Sequence, residues 1–165
     1  MTEISALLAR VGPSFFQQAF VVADLDAAQR AMKATLGATP FVSLPPTMLN
    51  YRYRGRDVEC ALALGFARSG NIQIELLQPV EGEGIHAEFL AERGPGAHHL
   101  GFMVDDLDDE VSRAADWGFA EVMAGEFGAL RFAYVDTFST FGLYIELVED
   151  PDGIMAQLMA WRDPA

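Results

Sequence analysis

The chain has 165 residues, 51% of them hydrophobic and 21% charged, and a formal net charge of −13. This composition predicts one compact folded domain, and the shortage of clustered Lys and Arg excludes most proteins that bind nucleic acids or anionic membranes. No apolar run reaches the roughly 18 residues of a membrane-spanning helix, and the single cysteine, Cys60, cannot form an internal disulfide. We therefore expect a cytoplasmic protein.

The first half of the chain predicts a short helix, a strand, a second helix and three further strands. An amphipathic pattern predicts the first helix at 3–11. Asp24 and Gly37 are the residue types of a helix N-cap and C-cap, and they enclose the second helix. Pro45-Pro46 is expected to break the chain before the last three strands. The predicted strands lie at 15–22, 49–54, 58–66 and 71–77.

The second half repeats this order after a connector at 80–96, which is rich in Gly and Pro and contains a predicted short helix at 86–92. Asp106 and Gly118 are predicted to cap and end the next long helix. The predicted strands of this half lie at 98–104, 121–124, 130–136 and 142–148.

The tail at 151–165 predicts a C-terminal helix. Ile154, Leu158 and Trp161 lie on one helical stripe, which would dock onto the body of the protein or onto a second subunit.

An internal repeat determines the predicted architecture. The sequence FVVADLD at 20–26 recurs as FMVDDLD at 102–108, and IELL at 74–77 recurs as IELV at 145–148. The two IEL phrases are closer together along the chain than the two DLD phrases, so the second module is shorter than the first. Loops absorb such a difference readily. The chain therefore predicts an α+β fold in which one domain, 1–165, contains two βαβββ modules, at 13–79 and 97–150.

Four polar residues occupy equivalent points of the two modules. Gln17 and His99 each precede the repeated phrase by the same short distance, and Glu75 and Glu146 lie in the last strands. An antiparallel sheet with one face in solvent would also place a Glu in its last strand without any function. A lone His on an apolar strand is more often a hydrogen-bonded core residue than a ligand. The symmetric set, however, offers the mixed N and O ligands that suit a divalent transition metal.

Three stretches of the chain resemble the vicinal-oxygen-chelate superfamily, which includes glyoxalase I, methylmalonyl-CoA epimerase, extradiol dioxygenases and bleomycin-resistance proteins. The stretches are GAHHLGFMVDDL at 96–107, IQIELLQP at 72–79 and YIELVE at 144–149. The resemblance covers 13–150 and is greatest to the epimerase-like and glyoxalase-like branch. It implies that the two modules form a cupped eight-stranded mixed sheet with helices outside and the metal inside.

The resemblance also implies a ligand set and a reaction class. The metal positions of the superfamily fall on Gln17, Glu75, His99 and Glu146, while His98 should point to the other face as the second-choice ligand. One divalent ion, Zn, Ni, Co, Mn or Fe, would hold two substrate oxygens while an adjacent carbon loses its proton. Glu146 is the expected base, because a loosely held glutamate can accept that proton.

Some residues depart from particular branches of the superfamily. The resemblance implies that methylmalonyl-CoA epimerases carry a second glutamate where this chain reads YRGRD at 53–57, so Asp57 or Glu59 could substitute only if the strand register slips. Val21, Pro79 and Pro95 stand where glutathione-dependent glyoxalases bind their thiol cofactor, which disfavours glutathione.

Three functions therefore stay open at this point. The leading one is a metal-dependent isomerase, epimerase or lyase that acts by enolisation on a small carbonyl, acid or thioester substrate, and we expect a homodimer. The second is a metal-free binding protein of the bleomycin-resistance type. The third is an Fe(II) ring-cleaving dioxygenase. Gln17 disfavours the third, because that branch binds iron with two His and one carboxylate. Substrate binding is predicted at Tyr51, Tyr53, Arg54 and Tyr134.

Overall fold

The structure is a computed structural model and describes residues 2–38 and 40–160. Its strands are β1 (Phe15–Val21), β2 (Val42–Tyr53), β3 (Arg56–Ser69), β4 (Ile72–Gly82), β5 (Gly96–Met103), β6 (Glu121–Phe127), β7 (Leu130–Val135) and β8 (Tyr144–Glu149). Its helices are α1 (Glu3–Val11), α2 (Leu25–Leu36), α3 (Ile85–Arg93), α4 (Leu107–Asp116), α5 (Phe138–Phe141) and α6 (Ile154–Ala160). The part of the chain that is described holds no helix long and apolar enough to cross a membrane.

The eight strands form one closed barrel in the order β1-β4-β3-β2-β6-β7-β8-β5. The pairs β1–β4 and β5–β8 are parallel, and the other neighbours are antiparallel. Each module supplies four adjacent strands, and β5 to β8 follow the same order as β1 to β4. The predicted α+β fold with a mixed eight-stranded sheet is confirmed, and the cup closes completely.

Strand registers show that the sequence repeat is also a spatial repeat. Gln17 lies opposite Gln73 in the first module, and His99 lies opposite Tyr144 in the second. The interval between positions 17 and 99 equals the interval between the repeated phrases that begin at 20 and 102. Likewise, the interval between positions 73 and 144 equals the interval between the phrases that begin at 74 and 145. The equivalent points of the modules therefore meet side by side where β1 pairs with β5.

The prediction that Pro45-Pro46 breaks the chain is wrong, because β2 runs through both prolines. The register of β2 against β3 shifts between Leu44 and Thr47, so the prolines lie at a bulge. Among the described residues, the other edge of this part of β2 has no paired strand, since β6 pairs only with Tyr51 to Tyr53. Bulges and open edges are the places where a strand tolerates a residue without an N–H.

The predicted helix boundaries are confirmed by their caps. Asp24 accepts a hydrogen bond from the Ala27 N–H at 2.9 Å, and Asp106 accepts one from the Asp109 N–H at 3.0 Å. Gly37 ends α2 with φ of +59°, a conformation that costs a side-chain-bearing residue more than it costs glycine.

Helices α1, α2 and α4 cover the outer face of the sheet. Leu7 of α1 and Leu107 of α4 pack with Ile145 and Leu147 in a fully apolar cluster between helices and sheet. Helix α6 docks onto the body through Ile154 and Met155, which resolves that alternative, while Trp161 lies outside the described residues. The short helix α5 was not predicted, and β4 extends to Gly82, into the segment predicted as connector.

Candidate metal centre

The interior of the barrel receives every second side chain of each strand, because side chains alternate between the two faces of a sheet. Glu75 and Leu77 are therefore inward neighbours on β4, as Tyr134 and Phe132 are on β7. The inward residues form one cavity of about 380 Å³. It is polar where the two modules meet and apolar elsewhere.

The four predicted ligands converge at the polar end. His99 is fully buried, and its Nε2 lies 3.3 Å from Glu75 Oε2 and 3.3 Å from Glu146 Oε2. Gln17 Oε1 is 3.4 Å from the same nitrogen. The structure thus brings together all four residues that the repeat singled out, two from each module.

Gln17 is held in place by Gln73, a fully buried residue that sequence reasoning did not select. The Gln17 amide donates from Nε2 to Gln73 Oε1 at 2.6 Å, which turns Gln17 Oε1 toward His99. Gly101 of β5 leaves room for that oxygen, since a Cβ at position 101 would lie 2.8 Å from it. The sequence signal for Gln73 was its place two residues before Glu75 on the same inward face.

Electrostatics in the ligand set favour a bound cation. Burial raises the pKa of Glu75, and Glu146 raises it further against the opposing effect of His99. Burial alone lowers the pKa of His99, but the carboxylates of Glu146 and Glu75 outweigh it and raise that pKa to about 9. Without a metal, a proton on His99 is therefore the positive charge that compensates two buried carboxylates.

A divalent metal fits these residues. Two ligands that each lie about 2.0 to 2.2 Å from one ion are separated by about 3.0 to 3.5 Å, as the donor atoms around His99 Nε2 are. Glu75 Oε2 is buried and faces His99 Nε2 at 3.3 Å, so the same oxygen is available to an ion that replaces the proton on His99. Even without Gln17, the residues Glu75, His99 and Glu146 satisfy the spacing of a metal site.

The expectation that His98 points away from the site is wrong. Ala19 pairs with His99 and Phe20 with Ala97, so His98 is an extra residue in a bulge of β5. The bulge places His98 Nδ1 3.0 Å from His99 Nδ1, on the side of His99 that faces away from the carboxylates. His98 is therefore positioned to accept the Nδ1 proton of His99 and to fix the orientation of that ring.

His86 of α3 is a further buried histidine at this end, and sequence reasoning did not select it. Its ring lies 4.8 Å from that of His98 and 5.2 Å from that of Tyr134, and neither of its nitrogens has a hydrogen-bond partner among the described residues. Burial and His99 lower its pKa to about 3. Only the fold brings α3 here, because His86 lies in the connector and outside the repeat.

The four predicted substrate-binding residues separate into two pairs. Tyr51 and Tyr134 line the cavity, and burial with the nearby carboxylates raises the pKa of Tyr134 far above its usual value, so its hydroxyl stays protonated beside Glu146. Tyr53 and Arg54 are instead hydrogen-bonded to Glu88 of α3 and are absent from the described cavity lining. Their predicted role is not supported by this placement.

Comparison with known proteins identifies the family. A family model described as "Glyoxalase/Bleomycin resistance protein/Dioxygenase superfamily" matches residues 16–134. The chain belongs to this superfamily. The match includes Gln17, Glu75 and His99 and ends before Glu146. The predicted resemblance to the vicinal-oxygen-chelate superfamily is thereby confirmed.

Individual members of the superfamily are more distant. The chain is 24% identical over 90 residues to the uncharacterized protein YqjC of Bacillus subtilis, and it spans 64% of the length of that curated relative. A methylmalonyl-CoA epimerase from Mycobacterium tuberculosis is 26% identical with a TM-score of 0.58, over 87% of this chain and 91% of that one. A methylmalonyl-CoA epimerase in complex with methylmalonyl-CoA and NH4+ is 23% identical with a TM-score of 0.56, over 84% and 95%.

In this superfamily member, β3 brings no second carboxylate base into the described cavity. Asp57 and Glu59 of β3 pair with Arg52 and Asn50 of β2. These two partners flank Tyr51, which points inward, so Asp57 and Glu59 lie on the opposite face of the sheet. Their side chains are exposed on the outer face, so the register slip that would bring either one inward does not occur. Within the described cavity lining, the carboxylates are Glu75 and Glu146.

Proposed function

We propose that this superfamily member is a metal-dependent enzyme that promotes enolisation and proton transfer, as an isomerase, epimerase or lyase, on a small carbonyl, acid or thioester substrate. The observation that carries the proposal is the convergence of Gln17, Glu75 and Glu146 on His99 Nε2 at 3.3 to 3.4 Å. The relative from Mycobacterium tuberculosis, which is named an epimerase, supports an enzymatic function.

Gln17, Glu75, His99 and Glu146 would hold the ion. When bound, the metal supplies Lewis-acid stabilisation of the negative charge that develops on a substrate oxygen. His98 and Gln73 orient two of the ligands through the hydrogen bonds described above. Their role is to keep the ligand geometry fixed while the substrate changes charge.

Glu146 is the proposed base. It lies opposite Tyr134 across β8 and β7, and its carboxylate borders the cavity, where a substrate carbon can approach it. The protonated Tyr134 hydroxyl is positioned to orient this carboxylate. Because Asp57 and Glu59 lie on the outer face, any second carboxylate base in the described lining would have to be Glu75, the other carboxylate ligand.

Solvent-deuterium exchange tests this function. The metal-loaded protein in D2O should exchange the α-proton of at least one member of a panel of hydroxyketones, 2-oxo acids and acyl thioesters. Glu146→Gln should lower the exchange rate by about 10²- to 10⁴-fold, the usual contribution of a general base, while retaining metal. Glu149→Gln is the matched control, because Glu149 lies on the same strand and pairs with Arg131 on the outside.

Two results would contradict the proposal. One is equal exchange by the parent and Glu146→Gln proteins. The other is a metal-loaded parent that exchanges no proton in any class of the panel.

A further inference from the structure

The cavity beyond the metal ligands is an apolar pocket. We use this name for the part lined by Leu62, Leu64, Leu77, Leu130, Phe132 and Val148. These residues occupy inward positions of β3, β4, β7 and β8. On β4, Leu77 is two residues after Glu75, and on β8, Val148 is two residues after Glu146. The metal centre and the apolar pocket are therefore opposite ends of one continuous space.

Helix α6 adds to this pocket. Asp150 accepts hydrogen bonds from the Ile154 and Met155 N–H groups at 2.9 and 2.8 Å, which fixes the start of the helix. Ile154, Met155 and Leu158 then contribute to the lining, and the first two pack against Leu130 and Val148. The pocket is covered by hydrocarbon on this side as well.

A negative charge on the body of a substrate would find no cationic side chain among the described residues that line this pocket. No Lys or Arg contributes to the lining in the part of the chain that the structure describes. The arginines found in ion pairs with carboxylates are Arg10, Arg52, Arg54, Arg56, Arg113 and Arg131. A carboxylate placed in the pocket would lose its hydration without gaining a partner, which costs several kcal/mol.

Two arginines that could bind the polyphosphate of a coenzyme A thioester already have carboxylate partners. The chain carries a net charge of −13, and phosphate recognition depends on Lys and Arg donors that are free to bind. Arg54 and Arg56, in the turn between β2 and β3, are already paired with Glu88 and Glu83.

We propose that the substrate carries an uncharged aromatic or aliphatic body that fills the apolar pocket, beyond the oxygens that the proposed metal-dependent function already requires it to present to the metal. This inference rests on the proposed metal-dependent function. It excludes substrates whose body places a carboxylate in the apolar pocket, away from the metal. The volume of about 380 Å³ lies within the range of small-molecule sites.

Alkyl hydroxamates test this substrate class, because each presents two adjacent oxygens to a metal and a tail of chosen length. The dissociation constants of aceto-, butano-, hexano- and octanohydroxamate are measured by calorimetry on the zinc-loaded protein. Each added methylene should tighten binding about fourfold, which corresponds to about 0.8 kcal/mol per buried methylene, until the pocket is full. Succinomonohydroxamate, which replaces the terminal methyl of butanohydroxamate by a carboxylate, should bind at least tenfold more weakly than butanohydroxamate.

A pair of variants locates the tail. Leu64→Gln, in the apolar pocket, should weaken octanohydroxamate at least tenfold while leaving acetohydroxamate within about twofold of the parent. Leu36→Gln, at an exposed position of α2, should change neither ligand. Because acetohydroxamate reports the metal centre in each variant, a misfolded protein is recognised directly, and Leu62→Gln then replaces Leu64→Gln.

The outcomes separate the two proposals. Dissociation constants that do not depend on tail length, or succinomonohydroxamate that binds better than butanohydroxamate, would overturn the substrate class and leave the metal-dependent function intact. A neutral fluorescent probe, N-phenyl-1-naphthylamine, measures the pocket without the metal. If this probe binds but acetohydroxamate does not, the proposed function fails and the inferred substrate class fails with it.

Discussion

The buried His99 makes the stability of the metal-free protein depend on pH in an unusual direction. Burial lowers its pKa, but Glu146 and Glu75 outweigh that effect and raise the pKa to about 9, against 6.5 for an ordinary histidine. A raised histidine pKa stabilises the folded state below pH 6.5, and this contribution is lost as the pH rises through 9. The difference between the two pKa values corresponds to about 3 kcal/mol, at about 1.4 kcal/mol for each tenfold change in proton affinity.

Nuclear magnetic resonance can test this directly, because the chain has three histidines and all three lie at the site. In the metal-free protein, His99 should titrate near pH 9. His86 should stay neutral above pH 5, since burial lowers its pKa to about 3, and His98 should titrate well below an ordinary histidine because burial lowers its pKa too. The free energy of unfolding by urea should fall by about 3 kcal/mol from pH 6.5 to well above pH 9.

Zinc should abolish the His99 titration, because the metal replaces the proton on Nε2. The reasoning is refuted if His99 titrates at or below pH 6.5 in the metal-free protein, or if the unfolding free energy is the same at both ends of the range. Cys60 does not complicate the lower part of this range, since burial raises its pKa to about 11.

The packing around the site leads to three further predictions. His98→Phe should weaken zinc binding about 10- to 100-fold, measured by competition with a chelator, because it removes the acceptor 3.0 Å from His99 Nδ1; unchanged affinity would show that His98 does not orient the ligand. His86→Leu should stabilise the protein at pH 5 by about 2 kcal/mol in urea unfolding, because a lowered histidine pKa costs stability as the pH falls below 6.5; an acid stability equal to that of the parent would contradict the neutral, unpaired His86. Leu7→Ala should cost about 2 to 4 kcal/mol of unfolding free energy because Leu7 is fully buried between α1 and the sheet, whereas Leu8→Ala at its half-buried neighbour should cost less; equal costs would argue against this docking of α1.

The repeat made the fold and the candidate ligand set accessible from sequence. The two pairs of repeated phrases matched Gln17 with His99 and Glu75 with Glu146, and the strand registers follow the same offsets. Alternation along strands was enough to place the carboxylates on an inward face. The caps Asp24 and Asp106 were visible because N-capping depends on local chemistry.

What the sequence could not show depends on contacts between distant segments. Pro45-Pro46 lies inside β2 because this part of the strand has a free edge, which local breaker rules do not reveal. His98 approaches His99 through a bulge, and a bulge shifts side chains in a way that strict alternation does not predict. His86 reaches the site only through the packing of α3 against the barrel, and the pairing of Arg54 with Glu88 is a contact between distant segments that the sequence did not indicate.

Elemental analysis of protein purified without an affinity tag or a chelator tests the central claim most directly. We expect about one divalent transition-metal ion per chain in the parent and in Glu149→Gln, and less than a tenth of that in His99→Ala and Glu75→Ala. A parent that binds no metal even after incubation with zinc, nickel, cobalt, manganese or ferrous iron would contradict the claim, as would a His99→Ala variant that keeps the full amount.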